Sequence, residues 1–240
     1  MLSKSQIKLI TSLKQKKFRQ QHGLFVVEGV KTIKELLASS LTLYALYTTE
    51  SFNIDAKLET VISEADLKRI SFLTTPNTAL AVFKMPKPKA IDSNKLIVAL
   101  DSVRDPGNLG TIIRLCDWFG IKDLVCSKET VDCFNPKVIQ ATMGSITRVN
   151  INYVNLEEFI SLVPVPVFGA FMEGDNVYSS DLPKNGILVM GNEANGISKE
   201  IENLVTDKIS IPRFGDLQAT ESLNVATATA ILLSEFKRRF

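Results

Sequence analysis

Apolar positions along this chain fall into short continuous runs separated by stretches of helical spacing, the pattern of alternating strands and helices. From Ser3 to about Gln20 the spacing predicts a basic helix. Leu24-Phe25-Val26-Val27 then predicts a buried strand, which Gly29 breaks. Thr32 to Leu37 has helical spacing, and Leu43 to Thr48 is a second strand candidate. Ser63 ahead of Glu64 and Asp66 predicts a helix start, with serine as the cap and acids in the first turn. Ala79 to Phe83 predicts the closing strand of a small α/β domain. Lys84-Met85-Pro86-Lys87-Pro88-Lys89 follows, and two prolines among lysines continue neither a helix nor a central strand. The domain boundary is therefore placed near residue 90, giving domains of residues 1–90 and 91–240.

The second domain alternates more strongly. Leu96 to Leu100 is wholly apolar, as a parallel strand covered on both faces requires. Similar runs lie at Leu124 to Cys126, Val165 to Phe171, Ile187 to Met190 and Lys208 to Ile211. Helices are expected over Gly110 to Phe119, Pro136 to Met143, Lys199 to Val205 and Ser222 to Arg238. The fold class is α/β, with a mostly parallel sheet in the second domain.

Composition changes this picture little. Hydrophobic residues make up 45% and charged residues 22%, which suits a soluble globular protein and excludes a disordered or fibrous one. A formal net charge of +2 does not announce a nucleic-acid partner. Lys4, Lys8, Lys14, Lys16, Lys17 and Arg19 do crowd the first twenty residues, and Lys237, Arg238 and Arg239 close the chain. Such clusters can hold phosphates, although a solvated helix face is the plainer reading. The three cysteines, Cys116, Cys126 and Cys133, are odd in number and lack the close pairs of a zinc site. They read as buried free thiols of a cytoplasmic protein. No run of about 18 apolar residues marks a membrane span, and no apolar signal segment follows the basic N-terminus. The single histidine, His22, is expected at the surface, and no metal is expected.

Candidate chemistry concentrates after three strands, where ligands sit in open parallel sheets. The first loop runs from Asp101 to Gly110 and leads into a helix. Leu109, Ile112, Ile113, Cys116 and Phe119 form that helix's apolar stripe. Arg114 lies off the stripe and leans back toward the loop, where it either serves a site or pairs with Asp117 or Asp105. The second loop is Gly191-Asn192-Glu193-Ala194-Asn195-Gly196, in which Glu193 either serves a site or caps the next helix. The third begins Pro212-Arg213-Phe214-Gly215 and ends at Ser222-Leu223-Asn224. Thr220 or Ser222 is the expected cap of the last helix, whereas Asn224, expected inside its first turn, suits a helix poorly.

Together these loops resemble the SpoU (TrmH-type) family of SPOUT RNA 2′-O-ribose methyltransferases. Asn108-Leu109-Gly110-Thr111-Ile112-Ile113-Arg114 fits the family's Asn-x-Gly-x-x-x-Arg motif. Gly191, Glu193 and Gly196 fit its Gly-x-Glu-x-x-Gly. Ile211-Pro212 with Ser222-Leu223-Asn224-Val225 fits its third motif, and Asn135-Pro136-Lys137 to Ser145 is similar to a stretch between motifs. The resemblance covers roughly residues 95 to 238, and Phe25 to Gly29 resembles the small L30e-like domain that many members carry in front. Two departures stand out. Asp216 to Glu221 make the third loop longer than the family's, and Arg213 replaces a usual methionine.

The resemblance implies a catalytic domain with a deep trefoil knot, an exception to the rule against knots, working as a homodimer with the active site near the interface. It implies S-adenosyl-L-methionine as cofactor, held by Met190, Gly191, Asn192, Gly196, Ile211, Pro212 and Leu223. Arg114, Asn108, Glu193, Ser222 and Asn224 would be the catalytic set. The family assigns its arginine as general base. Because arginine stays protonated far above neutral pH, orienting the phosphate and stabilising charge on the oxygen is the role carried forward. The implied substrate is RNA, with ribosomal RNA favoured over transfer RNA. The rival expectations are a non-catalytic assembly factor of the same fold and an unrelated nucleotide-binding α/β enzyme. Against the latter, the chain has neither a dinucleotide-binding glycine fingerprint nor a Walker lysine motif.

Overall fold

The computed structural model describes residues 2–215 and 222–238. Its elements, in chain order, begin with helices α1 (Lys4–Ser12) and α2 (Lys16–His22), strand β1 (Leu24–Glu28), α3 (Val30–Leu37), β2 (Leu43–Thr48), β3 (Glu59–Val61), α4 (Glu64–Ile70) and β4 (Ala79–Lys84). Then come β5 (Leu96–Leu100), α5 (Pro106–Trp118), β6 (Asp123–Ser127), α6 (Pro136–Thr142), β7 (Asn150–Val154) and α7 (Leu156–Leu162). The last are β8 (Val167–Asn176), β9 (Gly186–Met190), α8 (Lys199–Glu202), β10 (Asp207–Ser210) and α9 (Val225–Arg238).

The chain divides into two compact units. One comprises Met1–Lys87 together with Asp132–Thr147, and the other Pro88–Val131 with Arg148–Phe240. The first unit holds a four-stranded sheet in the order β1-β4-β2-β3. Its strands pair antiparallel except β2 with β3. β4, last of these in the chain, is central in the sheet because its whole run Ala79 to Phe83 is buried and needs a partner on each side. Ser63 caps α4, its side chain accepting from the Asp66 amide.

The basic helix expected from Ser3 to Gln20 is two helices. The break at Leu13–Gln15 frees main-chain carbonyls, and the Arg19 guanidinium donates to those of Leu13 (2.9 Å) and Lys14 (2.8 Å). Its remaining nitrogens reach Asp132. Arg19 is 2% exposed, so it leaves the group of basic residues open to a phosphate. Phe134 packs beside it on the ring of Phe25, with centroids 4.8 Å apart. In this way α6 and the residues ahead of it complete the first unit's core.

The second unit holds a six-stranded sheet, β10-β8-β9-β5-β6-β7, in which every pairing is parallel. Its central strands β5, β6 and β9 are buried along their whole length, which is why they read as unbroken apolar runs. β3, β7 and α7 escape the sequence pattern. β7 is an edge strand, half-buried throughout, and its Asn-Ile-Asn-Tyr-Val sequence lacks an apolar run. The buried stripe Leu109, Ile112, Ile113 and Cys116 seats α5 on the sheet, and α9 packs beside it. Burial pushes the Cys116 thiol well above its ordinary value, which disfavours the reactive thiolate.

Candidate active site

In parallel register Leu100 of β5 lies opposite Met190 of β9, so the loops after both strands leave the sheet at one level. The chain laces them together. The Asp101 amide donates to the Met190 carbonyl (2.9 Å), and the buried Asp101 carboxylate accepts from the Ser198 amide (2.7 Å). Ser102 adopts a left-handed backbone at φ 60°, its carbonyl accepting from the Asn192 side chain (2.6 Å) and its amide donating to Ser127 (3.0 Å).

The second loop closes on itself. Asn192 and Gly196 exchange main-chain hydrogen bonds of 2.8 and 2.9 Å, and the Asn192 side chain accepts from the amides of Ala194 and Asn195. A Cβ on Gly191 would collide with the backbone of Gly196 and Ile197, so only glycine permits this closure.

Glu193, at the tip, faces the start of α5. Its carboxylate accepts from the amides of Arg104 and Asp105, both 3.2 Å, and from the Asn108 side chain at 3.0 Å. Burial works against the charged form, but these donors outweigh it and hold the Glu193 carboxyl below its ordinary range. Asp105, not Glu193, caps a helix here, accepting from the Asn108 amide (2.8 Å), with Pro106 in the first turn. The Asn108 oxygen in turn accepts from Asn224 (2.8 Å). Glu193, Asn108 and Asn224 thus join one residue from each of the three loops.

Asn224 also caps α9, accepting from the amides of Ala226 and Thr227. It sits before the helix rather than inside it, which removes the objection from its poor helix propensity. Ser222 does not take that place, and Thr220 lies outside the described residues, as do residues 216–221, the longer third loop.

These loops border a cavity of about 1230 Å³. All seven expected cofactor residues line it: Met190, Gly191, Asn192, Gly196, Ile211, Pro212 and Leu223. Glu193, Ser222 and Asn224 line it too, whereas Asn108 stands behind Glu193. Arg114 is exposed on α5, outside the cavity wall, and its side chain bonds to none of the described residues. Both of its expected pairing partners are engaged, Asp105 as the cap and Asp117 by Arg148 (2.8 Å).

A fourth wall was missed by the sequence reading. Phe171, Met172 and Glu173 of β8 line the cavity with Lys208 and Glu202. Lys208 lies 4.8 Å from the Phe171 ring centre and 2.5 Å from Glu202. Hydrogen bonds from Lys208 and then Lys199 hold the half-buried Glu202 carboxyl down to about 2. The available signal was the apolar run Val165 to Phe171 ending in Glu173-Gly174-Asp175, the same passage from strand to glycine and acid as in the other loops. The donor set suits a cation with an apolar body: Met190, Ile211, Pro212 and Leu223 supply the wall, and Glu173 and Glu193 the charge. Among the described residues, no group of three or more His, Cys, Asp or Glu could hold a metal, and no helix is long and apolar enough to cross a membrane.

Comparison with known proteins matches the same regions. The family described as "SpoU rRNA Methylase family" matches residues 95–234, and an "MRM3-like substrate binding domain" matches residues 4–81. A 23S rRNA (guanosine(2553)-2′-O)-methyltransferase of Bacillus subtilis, RlmP, is 30% identical over 91% of this chain and 90% of its own. A putative RNA methyltransferase of the TrmH family from Porphyromonas gingivalis, of solved structure, is 40% identical, covers both chains in full and superposes with a TM-score of 0.91. An AdoMet-bound rRNA methyltransferase from Sinorhizobium meliloti is 31% identical, covers 100% of this chain and 97% of its own, and superposes with a TM-score of 0.88.

Proposed function

This chain belongs to the SpoU rRNA methylase family, and from that premise we propose that it transfers a methyl group from S-adenosylmethionine to a ribose 2′-hydroxyl of ribosomal RNA. The observation that carries this reading is the bonded set Glu193, Asn108 and Asn224, which draws the three motif loops together at the rim of an apolar cavity. A binder without chemistry has no need of that convergence.

Met190, Ile211, Pro212 and Leu223 would hold the adenosine and methionine parts, with the closed loop from Gly191 to Gly196 shaping the floor. Bound there, S-adenosylmethionine supplies an electrophilic methyl group, so positioning of the ribose carries much of the rate. Arg114 orients the RNA phosphate and stabilises negative charge gathering on the ribose oxygen. Glu193 and Asn108 fix the loop ahead of α5, Asn224 ties the start of α9 to Asn108, and Ser222 beside it lines the cavity where the substrate would enter. The trefoil knot, the homodimer and a cytoplasmic location belong to the same reading. A homodimer gives Arg114, which stands outside its own chain's cavity, a second cavity to serve.

The test is calorimetric titration of S-adenosylmethionine into the wild type and into an Ile211→Arg variant, followed by tritium transfer to transcribed ribosomal and transfer RNA. Saturable binding lost in a folded variant, with label entering ribosomal RNA, supports the reading. Absence of binding to the folded wild type overturns it and leaves an RNA-binding assembly factor.

A further inference from the structure

Helix α1 and the turn after it carry a cationic surface that the methyl transfer described above does not use. Ser3 accepts from the Gln6 amide and Gln6 accepts from the Ser3 amide, so the helix starts at a fixed point. Its inner side, Leu2, Ile10 and Leu13, is buried in the first unit's core. Lys4, Lys8 and Thr11 share the outer face at i, i+4 and i+7. Lys14 in the turn and Lys17 at the start of α2 follow, and all five are exposed. The Arg19 guanidinium donates to the carbonyls of Leu13 and Lys14, so this turn presents its lysines from a braced backbone. No acidic residue precedes Glu28, although 26 of the 240 residues are acidic. None of Lys4, Lys8, Lys14 and Lys17 pairs with a carboxylate among the described residues. Arg69, Lys95, Arg148, Lys199, Lys208 and Arg238, by contrast, each lie against one.

We propose that Lys4, Lys8, Lys14 and Lys17 anchor the phosphate backbone of the RNA substrate on the first unit. The proposal rests on the functional reading above and adds to it a surface for the substrate outside the cavity. Lys4 to Lys14 spans about 15 Å of chain, long enough to meet successive phosphates. A lysine is a compact charge on a flexible stem, which suits a phosphate and reads no base. The anchor therefore contributes affinity and register, and no sequence preference. An anionic membrane is the weaker occupant. A helix that lies on a membrane inserts its apolar face, and that face of α1 is already in the core.

The first test needs only the wild type. With large-subunit ribosomal RNA made by transcription bound, acetylation by an amine-reactive ester should slow at Lys4, Lys8, Lys14 and Lys17, read by mass spectrometry. It should not slow at Lys57, Lys68, Lys122 and Lys128, which are exposed elsewhere. The second test exchanges the four α1–α2 lysines for glutamine. The slope of log affinity for that RNA against log salt should become shallower by about three, and KM at about 0.1 M salt should rise at least tenfold. Arginine at the same four positions keeps the charge and should restore both. Cofactor affinity should follow the wild type throughout. Glutamine at Lys57, Lys68, Lys122 and Lys128 removes equal charge and should leave the slope near that of the wild type. Should the first glutamine variant not fold, the acetylation pattern decides. RNA that does not bind, or that binds without protecting the four lysines, overturns the proposal. Equal losses in the two glutamine variants overturn it too, as does protection by phosphatidylserine vesicles and not by RNA, which marks a membrane surface. RNA bound with the four lysines protected, but no methyl label transferred, is failure of the functional reading alone.

Discussion

At the scale of single residues, the site depends on how two charges are held. Arg114 has no partner among the described residues, so removing it disturbs no internal bond. Arg114→Ala should lower kcat at least about a hundredfold, as loss of one stabilising donor does, while calorimetry finds cofactor affinity near that of the wild type. Comparable losses in both would sink the assignment. Glu193 behaves oppositely, because its charge is part of the loop's structure. Its carboxyl lies below the ordinary 4.5, so its bonds are fully present above that value and are lost as pH falls through the folded-state value. Cofactor affinity should be flat from neutral pH down to about 4.5 and then drop. Glu193→Gln should bind about tenfold more weakly at neutral pH and show a smaller acid step. Both residues were legible in the sequence as members of motifs. Their partners were not, since the spacing of Glu193 cannot show that its acceptors would meet the amides of Arg104 and Asp105 rather than cap the next helix.

At the scale of elements, the central strands and long helices were legible because burial on both faces writes unbroken apolar runs. What escaped was set by tertiary partners. The break between α1 and α2 has no proline or glycine to announce it, and it is fixed by Arg19 reaching the carbonyls of Leu13 and Lys14 and the distant Asp132. Arg19→Ala leaves the Asp132 carboxylate, 11% exposed, without its cation and held only by the Phe134 amide (3.1 Å), and should cost about 3–5 kcal/mol in urea unfolding. Adding Asp132→Ala to it should cost little more, since the two share one interaction. The loop after β9 gives a second contrast. Gly196, at φ +69° with nothing near its missing side chain, should tolerate alanine at about 1–2 kcal/mol. Gly191→Ala must displace the backbone of Gly196 and Ile197, and calorimetry should find cofactor binding lost in a chain that still folds.

At the scale of the whole molecule, the change of pattern and the proline-lysine stretch put a single boundary near residue 90, whereas the chain divides into units of which the first takes in two separate stretches. The return of Asp132–Thr147 to the first unit was not legible, because α6 follows β6 with the same spacing as any crossover helix. Residues 2–87 made alone lack Phe134 and Asp132, the partners of Phe25 and Arg19. That fragment should show weak helical circular dichroism and fast amide exchange, and a synthetic peptide of residues 132–147 should restore both. A fragment that folds equally well without the peptide would refute this.

The same connectivity bears on how such chains diverge. The backbone passes from one unit to the other at 87–88, 131–132 and 147–148. A single genetic crossover near residue 88 would therefore give a mosaic whose first unit joins one parent's α2 and β1 to the other parent's α6. Substitutions at Arg19 and Asp132, or at Phe25 and Phe134, are bound to travel as pairs. Recombination can exchange this first unit intact only by trading two separate stretches of the gene at once.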